Sequence, residues 1–379
     1  MLNNPEKKGI RKDDFIMTSL EEAREKISEA DKEIARYFEI RMNAVSEVAQ
    51  YKKEHSLPVL DTGRENALIA KNKEYITNEE IRDLYILFQK NMMDLSKKYQ
   101  SILISGQKIA FSGIEGAYAH IAAKKIFPEG NISPYPSFKK AYTAVVNGEC
   151  DSVVLPIENS TAGEVGDNID MIYSGTLFIN GIYELRISHN LLGKKGAKLT
   201  DIKEVISHSQ AIDQCKTFLE ENNIAPKKAI NTAIAAKQVS ESCGKETGAI
   251  ASKETAALYG LEIIREKINS GESNATRFAV LSRERHKDSQ NKLFMLGFTV
   301  KHEAGALAKA MNIIGDFGFN MQMIKSRPLK NLLWQYYFFT EIQGNPDSAT
   351  GKKMLSELKA FCPDVKLLGS YSKHNIIES

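Results

Sequence analysis

The chain has 379 residues, with 51 basic and 48 acidic side chains and a formal net charge of +3, too balanced to argue for a nucleic-acid partner. Its 42% hydrophobic and 26% charged residues are those of a soluble globular protein long enough for two or three cores, and no apolar run approaches the ~18 residues of a membrane span. Met1 to Asp14 lacks a signal peptide's apolar core, and Cys150, Cys215, Cys243 and Cys362 show neither metal-type nor redox spacing, so free thiols in the cytoplasm and no bound metal are expected.

From Thr18 to about His55 there is no proline or glycine, which predicts one long helix. Ile27, Ile34, Phe38, Val45 and Val48 recur at helical spacing and form an apolar stripe. At about 100° per residue, Arg24, Arg41 and Lys52 fall on the same stripe. Cations there either snorkel off its edge or need an anionic partner. With no acidic stripe to pair all three, a bound dianion is the better account. Arg41 and Lys52 lie roughly 16 Å apart along the axis, within reach of one small molecule, whereas Arg24 is roughly 25 Å from Arg41. Arg24 can share that molecule only from an antiparallel copy, so the pattern itself suggests a dimer. Asp61-Thr62-Gly63-Arg64-Glu65 then leads a helix to about Lys73, and Thr62 with Glu65 also fits a capping box. A third helix is predicted from about Asn78 to Ser101, with Ser96 and Gln100 four apart on one face.

Lys108 to Phe111 reads as a strand, followed by a Ser112-Gly113-Ile114-Glu115-Gly116 turn and a helix from about Ala117. The glycines fit neither the dinucleotide fingerprint nor the P-loop, which counts against a dehydrogenase. Strands near 151–157, 176–188, 203–207, 247–251, 262–268 and 276–283 alternate with helices near 137–147, 210–221, 232–241 and 252–259. That is the pattern of parallel α/β sheets with helices on their faces. Two polar clusters adjoin buried runs: Pro156-Ile157-Glu158-Asn159-Ser160-Thr161 follows Val153–Leu155, and Asn274-Ala275-Thr276-Arg277-Phe278 heads Phe278–Leu281. Ligands of such sheets sit at strand ends. Arg277 can grip a carboxylate and Thr276 can offer a directed hydrogen bond. Taken alone, the pair also fits an ordinary strand start with an exposed arginine; the first cluster weakens that reading.

Arg283 to Lys292 is a charged linker. Beyond it come a strand (293–300), a helix (about 305–317), two strands (320–327 and 333–342), a helix (348–361) and a strand (365–371). This βαββαβ order fits an α+β ferredoxin-like fold.

Taken together, residues 18–104 resemble the all-helical chorismate mutase domain, and 108–379 resemble prephenate dehydratase with a C-terminal ACT sensor. The whole resembles the bifunctional chorismate mutase–prephenate dehydratases. The resemblance implies a multidomain chain: an all-α mutase domain (1–104), a two-lobed, periplasmic-binding-like α/β dehydratase domain (105–285) in which the chain leaves one lobe near Ile187 and returns to it near Glu272, and an α+β ACT domain (286–379). It implies an intertwined homodimer, or dimers paired into a tetramer, with chorismate and prephenate as substrates and phenylalanine as effector. A pericyclic rearrangement of chorismate needs no cofactor, and none is expected. By the same resemblance, Arg24 (from a partner subunit) and Arg41 hold the carboxylates of chorismate, Lys52 and Gln100 address the ether oxygen, and Glu65 binds the ring hydroxyl. Asp61, Arg64 and Ser96 complete that motif. The dehydratase motifs are the Gly113–Tyr118 turn, Pro156 to Ser160, Ser207-His208-Ser209-Gln210-Ala211, with Ser209 where proline is usual, and Thr276-Arg277-Phe278. They assign Arg277 to a carboxylate and Thr276 to the departing hydroxyl, with Asn159, Ser160, Thr161 and Gln210 orienting the substrate. Glu158 is either an acid with a raised pKa or half of a structural salt bridge. Gly305-Ala306-Leu307 and Ser326-Arg327 match the sensor's ligand motifs, but Lys325 stands where the family has glutamate. It either repels the ligand's ammonium or points into water. A non-enzymatic amino-acid-binding regulator is the competing reading, and it leaves the three cations and the Thr276–Arg277 pair unexplained.

Overall fold

The structure is a computed structural model that describes residues 20–55, 57–270, 274–329 and 335–377. The readings at Met1 to Asp14, Thr18, Glu272 and Leu333, and that for the side chain of Thr62, fall outside the described residues. The chain divides into two compact units between Gly106 and Gln107.

The first unit is helical. α1 (Leu20–Glu54) is one uninterrupted helix of 35 residues, followed by α2 (Thr62–Asn72) and α3 (Arg82–Ser105). The cap of α2 is Asp61, whose carboxylate accepts from Arg64 N at 3.0 Å. This corrects the expected Thr62–Glu65 box by one residue: aspartate caps at least as well as threonine, and here it comes first. Asn78 caps a short 3-10 turn (Glu79–Ile81), so α3 begins later than expected. Among the described residues of this unit, Ala49 and Met93 are its only fully buried apolar side chains, while Gln89, Ser96 and Gln100 are buried polar ones. The first half of the apolar stripe, Ile27, Ile34 and Phe38, is exposed, as are Leu84, Leu87, Phe88 and Leu95 of α3.

The second unit opens with β1 (Lys108–Ser112), α4 (Tyr118–Ile126), β2 (Asn131–Tyr135), α5 (Phe138–Val146), β3 (Ser152–Asn159), β4 (Gly163–Glu164), α6 (Gly166–Ser174) and β5 (Phe178–Arg186). The chain then crosses into a second lobe: β6 (Asn190–Gly193), β7 (Glu204–Ser207), α7 (Ser209–Gln214), α8 (Lys216–Glu221), β8 (Ala225–Lys228), α9 (Thr232–Glu241), β9 (Thr247–Ala251), α10 (Lys253–Tyr259) and β10 (Glu262–Arg265). It returns as β11 (Ala275–Ser282), which lies antiparallel between β5 and β3. The outgoing and returning crossovers are joined by Ile187 N donating to Asn274 O at 2.8 Å. The second lobe is a five-stranded sheet in the order β10-β6-β9-β7-β8.

The C-terminal region contains β12 (Leu293–Thr299), α11 (Ala306–Asp316), β13 (Asn320–Pro328), β14 (Tyr336–Gln343), α12 (Ala349–Phe361), β15 (Asp364–Tyr371) and β16 (His374–Ile377). Its sheet has the ferredoxin-like order β13-β14-β12-β15. The edge strand β15 does not stop there. Gly369 bridges to Ile179 of β5, and β16 then pairs with β5 from Ile182 to Leu185. A Cβ at position 369 would overlap the Ile179 carbonyl, so only glycine permits this approach. The C-terminal region and the first lobe thus share one eleven-stranded sheet and one core, in which Met295, Tyr337 and Phe339 pack with Ile172, Leu177 and Ile179.

Candidate active sites

In the first unit, Arg41, Lys52, Asp61, Arg64, Glu65, Ser96 and Gln100 line one cavity of about 150 Å³, with Val45, Val48 and Met93 as apolar walls. Three helices contribute, because α1 and α3 turn the same polar positions inward that the stripe and the four-residue spacing marked. Arg24 is exposed on α1 and does not line the cavity. Arg41 donates to Ser96 Oγ, which in turn donates to Met92 O at 2.7 Å. Lys52 Nζ donates to Val59 O at 2.7 Å. Burial lowers the Arg41 pKa from its ordinary value. Gln100 Oε1 is buried without a hydrogen-bond partner, so the amide is free to turn its donor to a ligand. Lys97 also lines the cavity, reaching Glu65 Oε2 at 3.1 Å and Asp94 Oδ1 at 2.9 Å. Sequence reasoning missed it, since nothing in the spacing shows that α3 brings Lys97 against α2. Four cations (Arg41, Lys52, Arg64, Lys97) face two carboxylates (Asp61, Glu65), a formal excess of two positive charges that suits a dianion.

The second cavity, about 270 Å³, lies where the two lobes of the second unit meet, and Asn159, Gln210 and Thr276 line it. Asn159 is its organising residue. Its Oδ1 accepts from Thr161 N (3.0 Å), Ala162 N (2.9 Å) and Gln210 Nε2 (3.0 Å), which fixes the amide's orientation. Nδ2 therefore points at Thr276 Oγ1, 3.0 Å away, and at Asn274 Oδ1, 2.9 Å away. With its oxygen already accepting, Thr276 keeps its own proton to donate.

A polar chain continues from Asn274 Nδ2 to Gln214 Oε1 (2.9 Å), which also accepts from His189 Nε2 (2.8 Å), while Tyr118 donates to His189 Nδ1 (3.1 Å). Burial lowers the His189 pKa to about 4 and raises that of the Tyr118 phenol. His189 and Gln214 were not read from the sequence, because lone residues without spacing carry no signal. Gln214 Nε2 is buried without a partner and is available to a ligand. Among the described residues no lysine or arginine lines this cavity. Its positive field comes instead from the N-termini of α4, α7 and α9, whose capping residues Ala117, His208 and Asn231 all line it.

The remaining expected residues lie elsewhere. Adjacent residues of a strand point to opposite faces, so with Thr276 toward the cavity, Arg277 turns away. Its guanidinium binds Glu341 at 3.0 Å and Glu158 at 3.4 Å, with His374 Nε2 2.8 Å away. It does not line the cavity, which corrects its assignment to a substrate carboxylate. Glu341 is 2% exposed; burial raises its carboxyl, but the His374 hydrogen bond and the Arg277 charge outweigh this and bring it to about 2. Glu158 is the structural partner of its two readings, 2.6 Å from Lys325. Ser160 Oγ accepts from Ala275 N at 3.0 Å, so Ser160 and Thr161 brace the loop without lining the cavity. Phe278 is 1% exposed and belongs to the core with Phe111 and Ile187, not to the substrate surface.

In the C-terminal region, Gly305 and Ala306 line a cavity of about 360 Å³ with Lys301, Lys309 and Phe361, while Leu307 packs into the core beneath its sheet. Ser326 is exposed. Arg327 binds Asp170 of α6 at 3.0 and 3.1 Å, so it does not join Gly305 in one pocket. Lys325 faces the first lobe, bound to Glu158 and Glu164.

Residues 23–101 match the family model for chorismate mutase type II, and residues 109–286 match that for prephenate dehydratase. The chain is 30% identical over 370 residues to the bifunctional chorismate mutase/prephenate dehydratase of Buchnera aphidicola subsp. Acyrthosiphon pisum (strain APS), covering 93% of this chain and 96% of that protein. Among solved structures, the prephenate dehydratase of Arthrobacter aurescens in complex with L-Phe is 26% identical with a TM-score of 0.65, covering 70% of this chain and 90% of that one. GqqA, described as a novel type of quorum quenching acylase, is 32% identical with a TM-score of 0.65, covering 70% of this chain and 97% of that one.

Proposed function

The chain belongs to the bifunctional chorismate mutase/prephenate dehydratase family, and on that premise we propose how its residues divide the two reactions. It rearranges chorismate to prephenate and converts prephenate to phenylpyruvate, two steps of phenylalanine biosynthesis. The single observation that carries the assignment is the separation of two polar cavities, one with excess cations and one without any, in the two matched regions.

The mutase reaction breaks a C–O bond and forms a C–C bond within one molecule and moves no proton, so its site has only to hold a compact conformer and stabilise charge on the ether oxygen. Arg41 and Arg64 receive carboxylate, Lys52 and Gln100 meet the ether oxygen, and Glu65 takes the ring hydroxyl. Arg24 enters from a second subunit. The exposed Ile27, Ile34 and Phe38 beside it on α1 support a homodimer built on that face.

In the dehydratase reaction, the electrons of the breaking C–carboxylate bond aromatise the ring as the ring hydroxyl departs. Thr276, held by Asn159, donates the hydrogen bond to that hydroxyl, and Gln210 fixes Asn159. Gln214 Nε2 and the helix N-termini receive the carboxylates, in place of Arg277. Phenylalanine as effector is supported by the L-Phe complex of the Arthrobacter relative, with Gly305 and Ala306, which line the C-terminal cavity, as its candidate residues. The domain limits we assign are 1–104, 105–285 and 286–379.

The test is purified full-length protein given chorismate without cofactor. Transient prephenate followed by phenylpyruvate is expected. Conversion of chorismate with no phenylpyruvate, or of supplied prephenate by a Thr276→Val chain at the wild-type rate, overturns the assignment.

A further inference from the structure

We propose that Lys325 of the sensor is a positioning residue for the dehydratase reaction, acting with Glu341 to hold Asn159 and Thr276 in register. The proposal rests on the assignment of those two residues to the dehydratase site. Across the paired strands β3 and β11, Thr276 stands opposite Asn159 and Arg277 opposite Glu158. Asn159 and Thr276 face the cavity, whereas Glu158 and Arg277, one step along, face the sensor. The sensor grips both outward residues. Lys325 of β13 binds Glu158 at 2.6 Å, and Glu341 of β14 binds Arg277 at 3.0 Å.

Lys325 also closes the hairpin that orients Asn159. Glu158 and Glu164 lie directly across from one another on β3 and β4. Like charges so placed repel. Lys325 Nζ sits between them, 2.6 Å from one carboxylate and 3.4 Å from the other. The turn inside this hairpin supplies Thr161 N and Ala162 N, two of the three donors that fix the Asn159 amide. Without the ammonium the two carboxylates push the hairpin open, the amide loses its fixed orientation, and Thr276 no longer has its oxygen occupied and its proton directed. Arg327 extends the clasp, contacting Glu164 at 3.7 Å and Asp170 at 3.0 Å.

Lys325 is partly exposed, so its variants are suited to the test, whereas replacing the buried Glu341 threatens folding. Lys325→Arg, Lys325→Met and Lys325→Glu full-length chains are compared on supplied prephenate, with chorismate turnover by the same preparations as a control for enzyme concentration and melts followed by a probe in the second unit as a control for its folding. Lys325→Arg is expected to stay within about twofold of wild type, Lys325→Met to lose roughly fivefold in kcat and Lys325→Glu roughly tenfold or more, with KM little changed. A merely structural clamp would lower the melting temperature and leave kcat alone. Wild-type kcat in Lys325→Glu overturns the proposal. Thr276→Val, measured in parallel, separates the two failures. If it loses turnover while Lys325→Glu does not, only the role of the sensor falls; if it keeps turnover, the site assignment falls and the proposal with it.

Discussion

Lys97 Nζ stands 3.1 Å from Glu65 Oε2 inside the mutase cavity, and the two residues come from different helices. Hydrogen bonds donated to Asp94 and Glu65 raise the Lys97 pKa, so the ammonium is firmly charged. It neutralises a carboxylate that would otherwise repel a dianionic substrate. Lys97→Met is therefore expected to weaken chorismate turnover several-fold, mainly through KM, and to leave prephenate turnover unchanged. Steady-state kinetics on both substrates with one preparation checks this.

The two cavities lie in separate units, so their activities should separate. Arg41→Ala should lose mutase activity and retain turnover of supplied prephenate, and Thr276→Val should do the reverse. Mixing Arg24→Ala with Arg41→Ala chains should restore some mutase activity, since a hybrid dimer contains one intact site. Absence of recovery under demonstrated subunit exchange would place Arg24 outside the reaction.

Arg277 is half-buried and pairs with the buried Glu341, and breaking such a pair strands a charge. Arg277→Ala should cost about 3–5 kcal/mol of stability. Urea melts followed by a probe in the second unit measure it. If Arg277 instead gripped substrate, Arg277→Lys would raise the KM for prephenate with little change in the melt, the opposite of what the geometry leads to.

Two pH windows should appear in the stability of the second unit. His189 falls from its ordinary 6.5 to about 4 in the folded protein, so the unfolded chain takes up a proton first. Its contribution is complete above pH 6.5 and is lost as pH falls to about 4, on the order of 3 kcal/mol. Glu341 falls from 4.5 to about 2, so its contribution is complete above pH 4.5 and is lost on going down to about 2, again on the order of 3 kcal/mol. Melts of His189→Asn should lack the first slope and those of Glu341→Gln the second.

The residues that line the first cavity were partly legible because a helix converts spacing directly into direction. A period of 3.6 put Arg41 and Lys52 on the apolar stripe and Ser96 and Gln100 on one shared face, while the family resemblance singled out the latter two. The dehydratase side was harder. Thr276 and Arg277 form one motif in the sequence, but a strand sends neighbours to opposite faces, and composition does not say which face holds the cavity. β8 escaped notice because Ala-Pro-Lys-Lys is an exposed edge strand with no apolar alternation. β16 escaped because the strand it pairs with, β5, lies almost 200 residues earlier. Lys325 shows the limit of motif comparison. Its difference from the family pattern was visible, but its partners Glu158 and Glu164 are distant in sequence and belong to another domain.

The bridge between Gly369 and Ile179 bears on how this protein can be taken apart. The boundary at Gly106 crosses no sheet, so a gene could acquire or discard the mutase there and leave the remainder whole. A cut at the 285/286 linker is different. It would strip β15 and β16 from β5, leave a long strand edge unpaired, and lay bare the apolar face now covered by Tyr337 and Phe339. Such a fragment should be sticky and insoluble, so the C-terminal region is not a detachable accessory. It is the part of the scaffold that keeps the catalytic lobe from pairing with its neighbours.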